Sequence, residues 1–307
     1  MADLTTKLGN ITLENPVMTA SGTFGYGAEY EEFFPIKKLG AVVVKGIAPW
    51  VSNGNPMPRI AEGHSGMLNA IGLQGPGIEK FLYDPHYMPF LRESGAKVIV
   101  NIWGKSAGDY AFVAERLEKE AGKDITALEI NISCPNVKEG GIAFGTDPLM
   151  LQSVVREVRK ATTLPLITKL SPNVTKIGDF AKAAEDAGSD MISLINTLPG
   201  MAINIETFRP KIANITGGLS GPAIKPIAVR MVYEAAKAVR IPVIGMGGIT
   251  TAEDAIEFFL AGASAIAVGT AIFRDPMAPL KVIDGLNQWL DAHKIEKLAD
   301  IIGAVKI

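Results

Sequence analysis

Short apolar runs recur along the chain, and the polar-rich segments between them follow a helical period. Four stretches share one pattern: KKLGAVVVKG, RESGAKVIVNIWG, EDAGSDMISLINT and FLAGASAIAVGT. Each reads as a helix end, a glycine suited to the left-handed position after it, a short link, and a strand rich in valine and isoleucine. NPVMTASG, ALEINIS, LPLITKLSP and IPVIGMGG supply further strands, three of them entered through proline, which a strand tolerates at its first position. The predicted strands are 16–20, 41–45, 98–102, 127–132, 165–170, 190–195, 242–246 and 264–269. Their continuous apolar character means burial on both faces, as in a parallel sheet, and patterns such as LMLQSVVREVRKA and TTAEDAIEFFLAGA place helices between them. Thr250 and Glu253 have the spacing of a capping box at the start of the second helix.

Eight βα units in 307 residues predict an α/β protein of the (β/α)8 TIM-barrel class, with residues 1–307 forming a single domain. A doubly wound open sheet is the alternative; the strand count and the lack of a composition shift favour closure. TTKLGNITLENP alternates with period two about Gly9-Asn10 and predicts an N-terminal hairpin closing the barrel floor. Two connections, 46–97 and 196–222, are too long for simple crossovers. Both leave the C-terminal end of a strand, the face on which barrel sites are built, and are expected to be insertions that cover a substrate.

Composition narrows the chemistry. Hydrophobic residues make up 48% and charged residues 20%, the balance of a globular protein with a substantial core. The formal net charge of −2, without a block of like charges, argues against a nucleic-acid or membrane surface. The N-terminal segment has neither a basic n-region nor an apolar h-region, and no stretch reaches the roughly 18 apolar residues of a membrane span, so a cytoplasmic location is expected. A single cysteine precludes an internal disulfide and an iron–sulfur cluster held by four thiolates of this chain. His64, His86 and His293 lack metal-ligand spacing, and no metal is expected.

Polar residues at the C-terminal ends of barrel strands converge on one mouth. Those ends carry Ser21, Lys45 with Gly46, Asn101, Asn131 with Cys134, Lys169, Asn196 with Thr197, Gly247 with Gly248, and Gly269 with Thr270. The set contains lysines, asparagines and one thiol, without carboxylate or histidine, which argues against carboxylate-pair or Ser-His-Asp hydrolysis. Glycines in GMGGIT and VGTAIF follow the last two strands, where backbone N–H groups can approach a phosphate. Taken singly, a lysine there is a solvent-facing terminus, an asparagine a turn residue and a lone cysteine a small buried hydrophobe. Recurrence on strand after strand favours a site. A Schiff-base aldolase using Lys169, a phosphate-binding isomerase and a non-enzymatic scaffold stay open on these residues alone.

The motifs NISCPN, NAIGLQGPG, LINT, GGLSGP, GMGGI and AVGTA, in this order, resemble the class 1 dihydroorotate dehydrogenases over essentially the whole chain. GLQ after NAI, and CPNVKEGG, resemble the 1B subgroup, whose catalytic subunit pairs with an electron-transfer subunit. The resemblance implies an FMN-containing barrel that oxidises dihydroorotate to orotate in pyrimidine biosynthesis. By motif it implies FMN contacts from Ser21, Lys45, Gly46, Asn101, Asn131, Lys169, Ile195, Gly221, Gly247, Gly248, Gly269 and Thr270. It implies orotate contacts from Lys45, Asn69, Ala70, Ile71, Gly72, Leu73, Asn131, Asn196 and Thr197, and Cys134 as the base. It also implies a homodimer within a heterotetramer, whose partner subunit carries FAD and a [2Fe–2S] cluster and passes electrons to NAD. Fumarate, the acceptor of the 1A enzymes, is the alternative.

Overall fold

The computed structural model describes residues 2–132 and 145–307. In chain order its strands are β1 Thr6–Leu8, β2 Ile11–Leu13, β3 Val17–Thr19, β4 Val42–Ile47, β5 Ile60–Gly63, β6 Gly66–Asn69, β7 Val98–Ile102 and β8 Ile125–Asn131. There follow β9 Leu166–Lys169, β10 Met191–Leu194, β11 Leu198–Met201, β12 Ile203–Asn204, β13 Arg209–Pro210, β14 Thr216–Ser220, β15 Val243–Met246 and β16 Ala265–Val268. The helices are α1 Gly77–Tyr83, α2 Met88–Ser94, α3 Ala107–Ala121, α4 Pro148–Ala161, α5 Ile177–Asp186, α6 Lys225–Ala238, α7 Ala252–Ala261 and α8 Ala278–Ala292.

Eight of these strands form one parallel sheet in the order β3-β16-β15-β10-β9-β8-β7-β4. Its two ends meet through a parallel bridge between Met18 and Ala41, and the Gly40 N–H donates to the Val17 carbonyl at 2.8 Å. The Thr19 hydroxyl seals the seam, accepting from the Val43 N–H at 2.9 Å. The sheet therefore closes into the barrel that the strand pattern predicts, with each predicted strand within two residues of an observed one.

Side-chain parity explains the core. Residues of one parity on the barrel strands, among them Met18, Val43, Ile99, Ala127, Ile167, Met191 and Ile244, form a buried cluster inside the barrel. Residues of the other parity, such as Val42, Val44, Val98, Val100, Leu128 and Ile130, pack outward with the helices. The β1–β2 hairpin turns at Gly9-Asn10, with Gly9 at φ +59°, and sends Leu8 and Leu13 into the inner cluster. Each of those leucines contributes about 1.5–3 kcal/mol of burial to closing the floor.

The helix N-terminus predicted at Thr250 and Glu253 lies one residue further on. Thr251 is the N-cap of α7, its hydroxyl accepting from the Asp254 N–H while Asp254 accepts from the Thr251 N–H. Thr250 donates its own hydroxyl to the same carboxylate at 2.6 Å. The shorter aspartate side chain suits a third position at which two successive threonines converge.

The two long insertions do more than cover the barrel. They pair with each other in a four-stranded antiparallel sheet of order β11-β14-β6-β5, with Gly218 opposite Asn69. A Cβ at Gly218 would lie 2.0 Å from the Thr197 hydroxyl, so the close approach of these strands requires glycine. No helix among the described residues is long and apolar enough to cross a membrane.

Candidate active site

Following the inward parity toward the C-terminal ends of the strands, the barrel interior changes character. Val43 gives way to Lys45, Ile99 to Asn101, Ala127 to Glu129 and then Asn131, Ile167 to Lys169, and Met191 to Ser193. The change is a polar layer resting on an apolar one. Above it opens a cavity of about 610 Å³, within the range of small-molecule sites. Every cofactor and substrate candidate from the motifs lines this cavity, from Ser21 after β3 through the Asn69–Leu73 segment after β6 to Thr270 after β16, with one exception. Cys134 lies outside the described residues.

Lys169 is 4% exposed at the end of β9, and its Nζ donates to the Ser21 hydroxyl at 3.1 Å. That bond uses one of the three N–H donors of a lysine. Lys45 sits at the same level on β4; burial first, and the like charge of Arg59 second, hold its ammonium below the usual lysine range. Asn131 ends β8, where the Tyr110 hydroxyl from α3 donates to its backbone carbonyl at 2.9 Å and fixes the strand's exit.

The substrate-side candidates are held by the insertion sheet. Asn69 donates its side-chain amide to the Gly218 carbonyl at 3.4 Å, and Asn55 supports the adjacent loop by donating to the Ala70 carbonyl at 2.9 Å. Gly72 and Leu73 both take positive φ, 78° and 55°, which turns this loop into the cavity. After β10, the Asn196 side-chain oxygen accepts from the Thr197 N–H at 2.8 Å.

The far end of the cavity is built from backbone. Gly248 has φ +80°, and a Cβ there would lie 2.9 Å from the Gly221 carbonyl oxygen and 3.0 Å from the Lys225 nitrogen. Only glycine fits, and the chain around it can approach a bound anion closely.

Glu129 and Asn173 are functional candidates that a reading of strand ends alone passes over. Asn173 lines the cavity from the loop after β9 and is held by the Ser171 hydroxyl, which accepts its side-chain N–H at 3.2 Å. Glu129 is 2% exposed, in the middle of β8. Its carboxyl accepts from Asn101 Nδ2 at 2.6 Å and from the Ser193 hydroxyl at 2.8 Å. Its inward parity with Asn131, beside apolar neighbours on both sides, is the signal that could have found it. Asn101, fully buried, is left with a side-chain oxygen that has no partner. Among the described residues no group of three His, Cys, Asp or Glu side chains is disposed to hold a metal ion.

Comparison with known proteins extends over nearly the full length of the chain. The family model described as dihydroorotate dehydrogenase matches residues 3–290. The chain is 56% identical over 298 residues to the protein named dihydroorotate dehydrogenase B (NAD(+)), catalytic subunit, of Alkaliphilus oremlandii, covering 96% of each chain. It is 52% identical over 305 residues to the protein of the same name from Citrifermentans bemidjiense, covering 99% of both. Among solved structures it is similar to dihydroorotate dehydrogenase from Eimeria tenella in complex with ferulenol, with a TM-score of 0.82 and 26% identity over 98% of this chain and 88% of that one.

Proposed function

We infer the reaction from one premise: this chain belongs to the dihydroorotate dehydrogenase family. It is an oxidoreductase of the kind whose relatives are named catalytic subunits of the B, NAD-linked form. We propose that it oxidises dihydroorotate to orotate in pyrimidine biosynthesis, with the whole chain, 1–307, acting as one FMN-binding barrel domain. One observation carries the reading: at a single level the barrel interior turns from aliphatic to amide and amine groups, and a buried Asn101 oxygen there lacks a partner. A flat heterocycle edged with carbonyl and N–H groups is the ligand that such a layer suits.

The residues fit FMN at both ends. The spare donors of Lys169 and the free acceptor of Asn101 suit the ring's polar edge, with Ser21, Lys45, Gly46, Asn131 and Ile195 around it. Gly221, Gly247, Gly248 and Gly269 suit the phosphate, since their backbone can approach an anion without a Cβ in the way, and Thr270 adds a hydroxyl at the same end of the cavity. FMN held by these residues would supply the two-electron acceptor for the substrate's hydride.

The chain's own residues bind the substrate and move its proton. Asn69, Asn131, Asn196 and Thr197 offer donors and acceptors in the alternation a ring amide presents. Lys45, with the backbone of Ala70–Leu73, meets the substrate carboxylate. Cys134, two residues beyond Ile132 in sequence, is the proposed base: as thiolate it takes the proton from the carbon next to the ring carbonyl. Cations at the mouth, Lys45 and Lys169, favour that thiolate.

Electrons must then leave the chain. The sequence has no G-x-G-x-x-G after a strand and one cysteine, so the proposed route is a second subunit carrying FAD and a [2Fe–2S] cluster, which reduces NAD. The proposed assembly is a heterotetramer built on a homodimer of this chain. Large apolar side chains exposed on the insertion segments, among them Met57, Ile203, Ile205 and Phe208, support an assembly larger than one chain. Given dihydroorotate, the isolated chain is expected to reduce artificial dyes but not NAD, and the complex with its partner to reduce NAD. Rapid NAD reduction by the chain alone, or efficient fumarate use without a partner, would contradict this route.

A further inference from the structure

We propose that Glu129 is a positioning residue that locks the Asn101 amide in one orientation, presenting its oxygen to a donor of the bound flavin. The inference rests on the FMN reading above and deepens it by naming a residue that the family motifs did not mark.

An asparagine amide has two nearly isosteric ends, a donor and an acceptor, and turning it over exchanges them. At a site that must recognise a ring N–H, a turned amide would set donor against donor. Something has to break the near-degeneracy. Glu129 and Asn101 are direct neighbours across the β7–β8 register, and both point into the barrel. The carboxyl of Glu129 accepts from Asn101 Nδ2 at 2.6 Å, a short contact, and its other oxygen accepts from the Ser193 hydroxyl at 2.8 Å. With both of its oxygens placed as acceptors, the carboxyl group selects the NH2 end of the asparagine amide.

The oxygen end is thereby turned away from Glu129 toward Gly46 on the neighbouring strand. A Cβ at residue 46 would lie 2.8 Å from it, so glycine leaves the space in front of this oxygen open. Asn101 and Gly46 both line the cavity, and the oxygen is buried without a partner. A buried acceptor in that state is incomplete until a donor reaches it. The carboxyl needs an explanation too. Burying one inside a barrel is unfavourable unless donors surround it, and the layer directly below is packed with aliphatic side chains. Fixing the amide supplies the reason.

The test is a double-mutant cycle on FMN affinity, using apoprotein of the parent, Glu129→Gln, Asn101→Ala and the double variant. Glutamine keeps the shape of Glu129 but can face Asn101 with either end, so both amide orientations become accessible. Glu129→Gln is expected to weaken FMN by about three- to tenfold when Asn101 is present, and by less than about twofold when residue 101 is alanine. The visible spectrum of the bound flavin should shift in Glu129→Gln relative to the parent, with no corresponding shift between the double variant and Asn101→Ala. Should Glu129→Gln fail to fold, Ser193→Ala, which frees the far oxygen of the carboxyl, must show the same dependence on Asn101 at smaller size. Equal weakening in both backgrounds would make Glu129 a general support of the barrel and overturn the proposal, as would no weakening at all. A parent chain that does not bind FMN would overturn the underlying reading itself, and the inference with it.

Discussion

Replacing Cys134 with alanine is expected to lower dihydroorotate oxidation by about 10²- to 10⁴-fold while leaving bound FMN in place, the usual contribution of a positioned general base. The residues lining the mouth include lysines, asparagines, serines and threonines, and the carboxyl of Glu129 lies buried beneath them, engaged by Asn101 and Ser193. Cys134 follows β8 directly in sequence and is the sole thiol of the chain. Cys134→Ser should keep a small residual rate that rises with pH, because a hydroxyl is a weaker acid than a thiol and is less often in its basic form. Steady-state rates and flavin content of the purified variants check this. An alanine variant turning over near the parental rate would remove Cys134 from the role of base.

Lys169→Ala is expected to raise the FMN dissociation constant by about tenfold to a hundredfold, the size of one charge-assisted hydrogen bond. Lys169 is 4% exposed and one of its donors is already spent on Ser21 across the barrel, so the remaining donors are oriented before any ligand arrives. Truncation removes them and also leaves the Ser21 hydroxyl without its donor. Lys169→Met, which keeps the length of the chain but not the charge, should show a similar loss, separating charge from packing. A fluorescence titration of apoprotein with FMN reads the effect. Parental affinity in both variants would show that Lys169 does not hold the cofactor.

The barrel was legible because its signal is local. The barrel strands are short, largely apolar runs buried on both faces, and in four segments a glycine near the helix end, as at Gly262 with φ +113°, marks where helix yields to strand. The residues at strand ends were legible for the same reason, since a lysine or asparagine closing an apolar run stands out. What sequence reading missed depends on partners far away along the chain. The sheet joining the two insertions pairs Gly218 with Asn69, and nothing in either segment alone specifies that register. Glu129 escaped because it lies within a strand rather than at its end, and its role depends on Asn101 and Ser193 from two other strands. At α7 the error was one residue, because Thr250 and Thr251 both engage Asp254 and either could read as the cap.

This barrel mouth is proposed to hold FMN and to use it to oxidise dihydroorotate. Anaerobic mixing of the purified, flavin-loaded chain with dihydroorotate, followed through the flavin's visible absorbance, tests it most directly. The expected result is a yellow protein carrying one FMN per chain, bleached rapidly by dihydroorotate with release of orotate, and bleached far more slowly in Cys134→Ala. A chain that takes up no FMN, or one whose flavin stays oxidised in the presence of dihydroorotate, would contradict it.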